Sequence, residues 1–256
     1  MLTAHDRRKE IVSLIITNGH TGVSELSERF DVAAETIRRD LKALEAEGLV
    51  SRVHGGAVPQ NGLPDLPFRE SEQANIAEKT DIAALAVDLL PQGPASIFLD
   101  SGTTTARFAE ELVRRYQGQP WTIVTNSLPA AMILADGNIP GVNILGGTMK
   151  NITRAVIGNQ VVEAIGNLRA DFAFMGTNGI TEAHGLSTPD TAEASVKRAM
   201  IEAAQTTVVL CDSSKFGREF LVTFSDLDAV DIVVTDSHVE QKFCDLLNNY
   251  DIKVVN

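Results

Sequence analysis

The feature of this 256-residue sequence that most constrains its fold is a series of short, β-rich apolar segments between residue 76 and the C-terminus. The segments alternate with stretches of helical periodicity, and small polar residues follow each of them. This alternation predicts an α/β domain with a mainly parallel sheet. The predicted strands are 96–99, 122–125, 143–145, 172–175, 207–210, 232–235 and 253–255.

The loop after the first predicted strand is the first candidate for a binding site, since parallel sheets bind ligands outside the carboxyl ends of their strands. A glycine followed by hydroxyl side chains at a helix start offers N–H and O–H donors to an anion, and the helix dipole adds attraction. The pattern predicts a phosphate-binding loop, although such loops frequently do nothing more than cap helices. Its residues are Asp100, Ser101, Gly102, Thr103, Thr104 and Thr105.

The loops after the other predicted strands are also polar or glycine-rich, which helix capping alone does not explain. Lys215 directly follows a strand and is the better candidate for meeting a ligand charge. Lys197 lies four residues after Glu193, so a surface ion pair is the alternative to a ligand-binding role. The further predicted ligand-binding residues are Asn126, Gly146, Gly147, Lys150, Gly176, Asn178, Gly179, Glu193, Lys197, Asp212 and Lys215.

The first sixty residues have a different pattern, that of three short helices. Apolar residues recur at helical spacing over 8–17, a second helix is predicted to begin at a Ser24 cap, and a third covers 34–47. Three short helices with a tight second turn predict a helix-turn-helix. The inward stripe of the third helix is Ile37, Leu41 and Leu44.

The outward face of the third helix carries the side chains that DNA recognition requires. Arginine pairs with guanine edges in the major groove, while neighbouring cations neutralise phosphates. A solvated charged face is the alternative, but the helix-turn-helix context favours a double-stranded DNA partner. The predicted DNA-contacting residues of this helix are Thr36, Arg38, Arg39 and Lys42.

Two short strands around Gly55-Gly56, at 49–53 and 57–58, predict a hairpin directly after the third helix. A hairpin in this position is a wing. We expect Arg52 and His54 to reach the DNA backbone or the minor groove beside the helix. Closing the turn is an equally good interpretation of His54.

The net charge of −12 is unevenly distributed, because residues 1–60 carry only −1 and the remainder carries −11. A nearly neutral DNA-binding segment is expected to hold phosphates moderately, and an even oligomer, a homodimer or homotetramer, doubles the contacts. The sequence contains no apolar run of membrane-spanning length and begins with a polar segment. These features predict a cytoplasmic protein with no membrane partner.

The two cysteines, Cys211 and Cys244, are far apart and lack the spacing of a metal site. We expect both to be buried reduced thiols. No metal site and no cofactor are predicted.

Several of these motifs together resemble the DeoR family of regulators. In the N-terminal part they are Thr36-Ile37-Arg38-Arg39-Asp40-Leu41, Leu44-Glu45, Gly48-Leu49, Arg52 and His54-Gly55-Gly56-Ala57; further on they are Asp100-Ser101-Gly102-Thr103-Thr104, Thr125-Asn126-Ser127, Gly146-Gly147, Gly176 to Ile180, Glu193 through Val196-Lys197-Arg198-Ala199-Met200, and Asp212-Ser213-Ser214-Lys215-Phe216-Gly217.

The resemblance implies a winged helix-turn-helix and a sensor domain whose fold is similar to ribose-5-phosphate isomerase and the glucosamine-6-phosphate isomerase group. It implies a phosphorylated sugar or sugar-acid effector that relieves repression. Two residues depart from the family pattern: Ala33 stands where a capping serine is usual, and Asn178 replaces the usual aspartate.

The predicted function is therefore DNA-binding regulation by a phosphorylated metabolite, with no catalytic residues assigned. A sugar-phosphate isomerase is the alternative, weakened because the amide of Asn178 cannot act as a base. A ligand-free interaction scaffold is a third interpretation. The predicted domains are 1–58 for DNA binding, a linker at 59–75, and a sensor domain at 76–256.

Overall fold

The computed structural model describes residues 3–18, 21–53, 55–59 and 67–256. Its internal contacts divide the chain into two compact units, Met1–Leu66 and Pro67–Asn256. The predicted domain limits stay a prediction. The range predicted as a linker contains a short helix, Phe68–Gln73, which belongs to the second unit.

The first unit is a helix-turn-helix followed by a wing, as predicted. Antiparallel strands in the order β1-β3-β2 complete it. The inward stripe of the third helix is buried with residues of the other two helices in one apolar core. The elements are α1 (Ala4–Asn18), β1 (Thr21–Gly22), α2 (Val23–Phe30), α3 (Ala34–Ala46), β2 (Val50–Val53) and β3 (Gly56–Pro59).

Two predicted helix starts in this unit are wrong. Helix α1 begins earlier than predicted, because the hydroxyl of Thr3 accepts a 3.2 Å hydrogen bond from the Asp6 amide and caps the first turn. Helix α2 is capped at Gly22, and Ser24 lies within it. The uncapped start of α3 agrees with prediction, since Ala33 occupies the cap position without a side-chain hydrogen bond.

The second unit is built on a seven-stranded parallel sheet in the order β15-β14-β12-β9-β4-β5-β6. Each of its strands coincides with one of the seven predicted strands to within a few residues. The elements are α4 (Phe68–Gln73), α5 (Ile76–Val87), β4 (Ala95–Leu99), α6 (Thr103–Arg115), β5 (Trp121–Thr125), α7 (Leu128–Asp136), β6 (Val142–Ile144), β7 (Thr148–Lys150), β8 (Ala155–Ile157), α8 (Asn159–Gly166), β9 (Ala170–Gly176), β10 (Gly179–Thr181), β11 (Gly185–Thr188), α9 (Thr191–Glu202), β12 (Ala204–Leu210), β13 (Val222–Ser225), β14 (Ile232–Val234), α10 (Gln241–Asn249) and β15 (Lys253–Val255).

Both faces of this sheet are covered, which explains why its strands are continuous apolar runs. Successive residues of a strand point to opposite faces. In β4, Ile97 and Leu99 therefore pack with α5, α6 and α7, while Phe98 packs with α8 and α9. The result is a three-layer α/β/α unit.

The sequence did not predict the smaller sheets of this unit, the β7–β8 hairpin and the antiparallel sheet β10-β11-β13. These strands have three or four residues each and include glycines and hydroxyl side chains, so neither apolar length nor alternation marks them.

Cys211 is buried as predicted, whereas Cys244 is partly exposed; both are free thiols. Within the described ranges, no helix is long and apolar enough to cross a membrane.

Candidate functional site

Four neighbouring strands of the parallel sheet deliver polar residues to one edge. The strand order reverses beside β4, since β5 and β6 lie on one side of it and β9, β12, β14 and β15 on the other. Open α/β sheets bind ligands at such a reversal. Asp212, Gly176, Asp100 and Asn126 stand at the ends of β12, β9, β4 and β5.

A buried ion pair joins Asp100 to Lys197 at the centre of this edge. Their side chains are 0% and 4% exposed. The Lys197 ammonium also donates to the Gly176 carbonyl at 2.9 Å, and the Gly176 amide donates to Asp100 Oδ2 at 3.0 Å. The alternative of a surface ion pair between Lys197 and Glu193 is therefore wrong: α9 turns Lys197 inward over the ring of Phe224.

Burial raises the pKa of Asp100 above its ordinary value, although Lys197 and the Gly176 amide act against this rise. Glu193 is close enough to raise it further. The ammonium and the amide both bind Oδ2, so Oδ1 has no hydrogen-bond partner among the described residues. Asn126 Oδ1 and Asp212 Oδ2 are also buried and also lack a hydrogen-bond partner among the described residues. Three of the four neighbouring strand ends, those of β12, β4 and β5, thus present buried acceptors that lack hydrogen-bond donors among the described residues.

Asp212 interacts electrostatically with several cations. Lys215 lies 3.8 Å from its carboxylate. Burial opposes ionisation of Asp212, but Lys215, Ser214 and Lys79 together hold its pKa below the ordinary value. Burial also lowers the pKa of Arg218 to about 10, with Asp212 acting against the shift.

Lys79 is a buried cation of α5 that faces the same carboxylate. Burial, reinforced by the charge of Lys215, lowers its pKa to about 8. Three cations, Lys79, Lys215 and Arg218, therefore act electrostatically on Asp212. One of these cations, Lys79, is buried and the other two are partly buried, and positive charge in such surroundings favours the binding of an anion.

The start of α6 carries the predicted phosphate-binding loop. Gly102 is the cap residue, so the cap position offers no side-chain acceptor to the first-turn amides. The Thr105 hydroxyl is turned inward and donates to the Gly102 carbonyl at 3.0 Å. Ser101 and Thr104 are buried, and the Thr103 hydroxyl lies 3.3 Å from that of Ser71. The loop therefore has unsatisfied backbone donors, as an anion site requires.

A second polar cluster lies at the start of α9. Lys150 is 3.1 Å from Asp190 and 3.2 Å from Glu193. Glu193 also accepts a 2.6 Å hydrogen bond from Thr153. The predicted residues Lys150 and Glu193 are thus brought together, and Asp190, which caps α9, joins them.

Packing accounts for several of the predicted loop residues. A Cβ atom at Gly147 would lie 2.7 Å from the Ile157 carbonyl oxygen, and a Cβ atom at Gly179 would clash with the Arg218 carbonyl. Gly146 faces open space. Asn178 accepts a 3.0 Å hydrogen bond from Thr188. Their roles in ligand binding stay predictions.

The outward face of α3 presents the predicted DNA-contacting residues. Arg38, Arg39 and Lys42 are exposed, and Thr36 is half-buried. Arg38 pairs with Glu35 at 3.1 Å, whereas the described residues include no ion-pair partner of Arg39. Beside this face runs a groove of about 450 Å³, lined by the starts of α2 and α3 and by wing residues.

The wing holds Arg52 against α3. Arg52 Nε lies 2.7 Å from Glu45 Oε2, and the Arg52 amide donates to the same carboxylate at 3.1 Å. These bonds lower the pKa of Glu45. His54 lies outside the described residues, so its predicted role is untested.

Sequence reasoning missed Lys79 and Arg218. A signal was present for Lys79, because it lies on the same helix stripe as the buried residues Ile82, Ala83 and Ala86. A charge on such a stripe requires partners, which marks it for attention. Arg218 lies in a loop with no periodicity to place it. Among the described residues, no cluster of carboxylates, thiols and imidazoles is suited to hold a metal ion.

Two family models match the chain. The DeoR-like helix-turn-helix domain matches residues 7–61, and the DeoR C-terminal sensor domain matches residues 74–237. The chain belongs to the DeoR family of transcriptional regulators.

Curated DeoR-family relatives match along nearly the whole chain. The transcriptional regulator GlpR of Haloferax volcanii is 33% identical over 98% of this chain and 97% of its own length. The glycerol-3-phosphate regulon repressor of Escherichia coli is 31% identical over 97% of each chain. The lactose phosphotransferase system repressor of Staphylococcus epidermidis is 32% identical over 94% of this chain and 95% of its own. These relatives are regulators and not enzymes, which decides against the isomerase alternative.

Among solved structures, ribose 5-phosphate isomerase A from Methanocaldococcus jannaschii aligns with 56% of this chain and 55% of its own, with a TM-score of 0.42 and 24% identity. The eIF2B delta subunit of Chaetomium thermophilum aligns with 57% of this chain and 50% of its own, with a TM-score of 0.41 and 20% identity.

Proposed function

We propose that this DeoR-family regulator represses an operon of carbohydrate or sugar-acid catabolism, and that a phosphorylated sugar-like effector releases it from its operator. The observation that carries the proposal is the cation cluster of Lys79, Lys215 and Arg218, which acts electrostatically on the buried carboxylate of Asp212, with Lys215 3.8 Å from it. A positively charged, partly desolvated site of this kind favours an anionic ligand.

The mixture of donors and acceptors at the sheet edge supports a ligand that is both anionic and hydroxylated. Phosphate oxygens accept hydrogen bonds, so they suit the first-turn amides of α6 and the ammonium groups. The buried oxygens of Asp100, Asn126 and Asp212 that accept no hydrogen bond among the described residues require donors, which the hydroxyls of a sugar or polyol supply. Two of the similar regulators are named for glycerol 3-phosphate and for the lactose phosphotransferase system.

The DNA-binding half of the proposal places α3 in the major groove and the wing on the adjacent backbone. Thr36, Arg38 and Arg39 then read base edges, while Lys42 and Arg52 neutralise phosphates. A homodimer or homotetramer doubles these contacts on a two-fold operator. The exposed cations of α3 support this arrangement.

The effector proposal is tested with a panel of phosphorylated compounds, each paired with its dephosphorylated counterpart: glycerol 3-phosphate, a hexose 6-phosphate, a pentose 5-phosphate and a phosphorylated sugar acid. We expect at least one phosphorylated compound to raise the melting temperature, since a ligand at 100 times its Kd stabilises the fold by about 2.7 kcal/mol. The same compound should weaken operator binding in a gel shift by roughly 5- to 150-fold.

Two results would contradict this proposal. If no phosphorylated compound stabilised the protein, the effector site would be misassigned. If compounds bound but left operator affinity unchanged, the coupling would be absent. Turnover of ribose 5-phosphate by the pure protein would instead support the enzyme alternative.

The wing gives a separate prediction at Glu45. Replacing Glu45 by glutamine removes a negative charge beside the proposed DNA surface and releases Arg52 from its ion pair. We expect Glu45→Gln to bind the operator several-fold more tightly, with a steeper dependence of affinity on salt, because one more cation is available for phosphate. Fluorescence anisotropy at several salt concentrations measures this. Glu163→Gln, on the exposed surface of α8 in the other unit, is the control, and equal affinity in both variants would refute the assignment of Arg52.

A further inference from the structure

The segment Pro67–Asn75, here called the connector, is attached to several loops of the proposed effector site. The Phe68 amide donates to the Ile152 carbonyl at 2.8 Å, and the buried Phe68 ring lies 5.0 Å from the Arg154 guanidinium. The Ser71 hydroxyl lies 3.3 Å from that of Thr103, the first residue of α6. The connector thus contacts both the start of α6 and the loop between β7 and β8.

Asn75, at the end of the connector, contacts the loop that follows β12. Its side-chain amide donates to Asp212 Oδ1 at 3.1 Å, from a left-handed backbone conformation with φ of 51°. The side chain makes no capping bond to α5. Asn75 therefore links the connector directly to the carboxylate on which the cations act.

Lys79 also binds the connector, through two of its backbone carbonyls. Its side chain, in a residue that is 3% exposed, donates to the carbonyls of Ser71 and Ala74, the latter at 2.6 Å. Carbonyls at the end of a helix attract a cation, and these two lie at the end of α4. The same ammonium acts electrostatically on Asp212, so one side chain serves both the connector and the proposed anion site.

We propose that Lys79 is an effector-sensing residue: it contributes charge to the anion site and holds the connector, so that a bound phosphate group tightens the connector against the sensor unit. This inference rests on the proposed function, because it assumes an anionic effector beside Asp212. The connector continues directly from the DNA-binding unit, which ends at Leu66. Effector binding therefore restricts the chain at the point where the two units join.

The electrostatic interactions of Lys79 couple the binding of an anion to the ordering of the connector. Its ammonium faces the cations Lys215 and Arg107 and the carboxylates Asp212 and Glu78. Burial and Lys215 disfavour its charged form and lower its pKa to about 8. An added anion attracts the ammonium and offsets this repulsion, so the ammonium is stabilised in the position where it binds the connector carbonyls. By linkage, an ordered connector also improves anion binding.

Hydrogen exchange on the full-length protein tests the inference, with inorganic phosphate as the probe and sodium chloride at equal ionic strength as the reference. In the wild type, saturating phosphate is expected to slow exchange in two places, at the first-turn amides 103–105 and in the connector 68–75. The slowing in the connector should be roughly 5- to 150-fold, the usual range of coupling between sites.

Two variants separate protection of the first-turn amides from protection of the connector. Lys79→Met removes the ammonium but keeps the chain length, and Asn75→Gly removes the bond to Asp212 while tolerating the positive φ. In each variant we expect phosphate to protect 103–105 but to protect 68–75 much less than in the wild type. Asn75→Gly decides the question if Lys79→Met does not fold. The matched controls are Lys253→Met, at an exposed lysine of β15, and Asn138→Gly, at an exposed asparagine with φ of 55°.

The outcomes distinguish the inference from the function on which it rests. Protection of 103–105 without protection of 68–75 in the wild type would overturn the inference and leave the phosphate site standing. Connector protection that is unchanged in the variants would overturn the role of Lys79 and Asn75. If phosphate protected neither segment, the proposed anion site would itself be wrong.

Discussion

Replacing Lys197 by methionine is expected to lower the free energy of unfolding of the sensor unit by about 3 to 5 kcal/mol, the usual cost of removing one partner of a buried ion pair. Methionine has a similar length and fills the same space, so the loss of stability does not come from a cavity. The loss arises because Asp100, which is fully buried, would lose its counterion, so that it must either carry a charge without a partner or take up a proton at a cost in free energy. The Gly176 carbonyl would also lose a donor.

Urea denaturation measures this effect specifically in the sensor unit, because the single tryptophan, Trp121, lies in β5 and is buried. Lys253→Met, the same substitution at an exposed lysine, should leave the transition within about 0.5 kcal/mol of wild type. The double variant Asp100→Asn with Lys197→Met should recover much of the loss, since the uncompensated charge is gone. A Lys197→Met variant as stable as wild type would show that the ion pair is not formed in solution.

The pH dependence gives this prediction a second check. A carboxyl whose pKa is raised on folding stabilises the fold while protonated; that contribution is complete below the unfolded value of about 3.9 and is lost as the pH rises through the folded pKa. The pKa of Asp100 is already raised by burial, and Lys197→Met removes the ammonium that opposes the rise. The destabilisation of the variant should therefore shrink as the pH falls toward the unfolded value of about 3.9.

The parallel sheet is predictable from sequence because its strands are buried on both faces. That burial requires continuous apolar runs such as those of β4 and β9, which stand out against their polar loops. The helix-turn-helix is predictable for a similar reason, since the buried stripe of α3 leaves its charged residues on the opposite face. Position along the chain also places Asp100 and Asp212 at strand ends before any coordinates are known.

The partners of these residues are not predictable in the same way. Lys197 and Glu193 have the spacing of a surface pair, and only the packing of α9 against the sheet shows that Lys197 turns inward to Asp100. The Asn75–Asp212 bond joins residues 137 positions apart. Local sequence carries no signal for such a contact, because it depends on which strand ends become neighbours in the sheet.

Replacing Arg39 by alanine is expected to weaken operator binding by about 1 to 3 kcal/mol, the usual contribution of an arginine that contacts a guanine edge. Arg39 is the sharper probe on α3, because Arg38 shares its charge with Glu35, whereas the described residues include no carboxylate partner for Arg39. The side chain is exposed, so its removal should not unfold the domain. Anisotropy titrations with the operator and with a scrambled duplex measure the two affinities.

The comparison between the two duplexes decides what Arg39 does. A base-reading arginine loses more affinity for the operator than for scrambled DNA, whereas Lys42→Ala, if Lys42 binds phosphate, should weaken both about equally and reduce the salt slope by about 1. Arg169→Ala, at an exposed arginine of the sensor unit, removes the same charge far along the chain and should change neither affinity. Unchanged operator binding by Arg39→Ala would mean that α3 does not present this residue to the major groove. Equal losses on both duplexes would reduce Arg39 to a phosphate contact, and base recognition would then rest on Thr36 and Arg38.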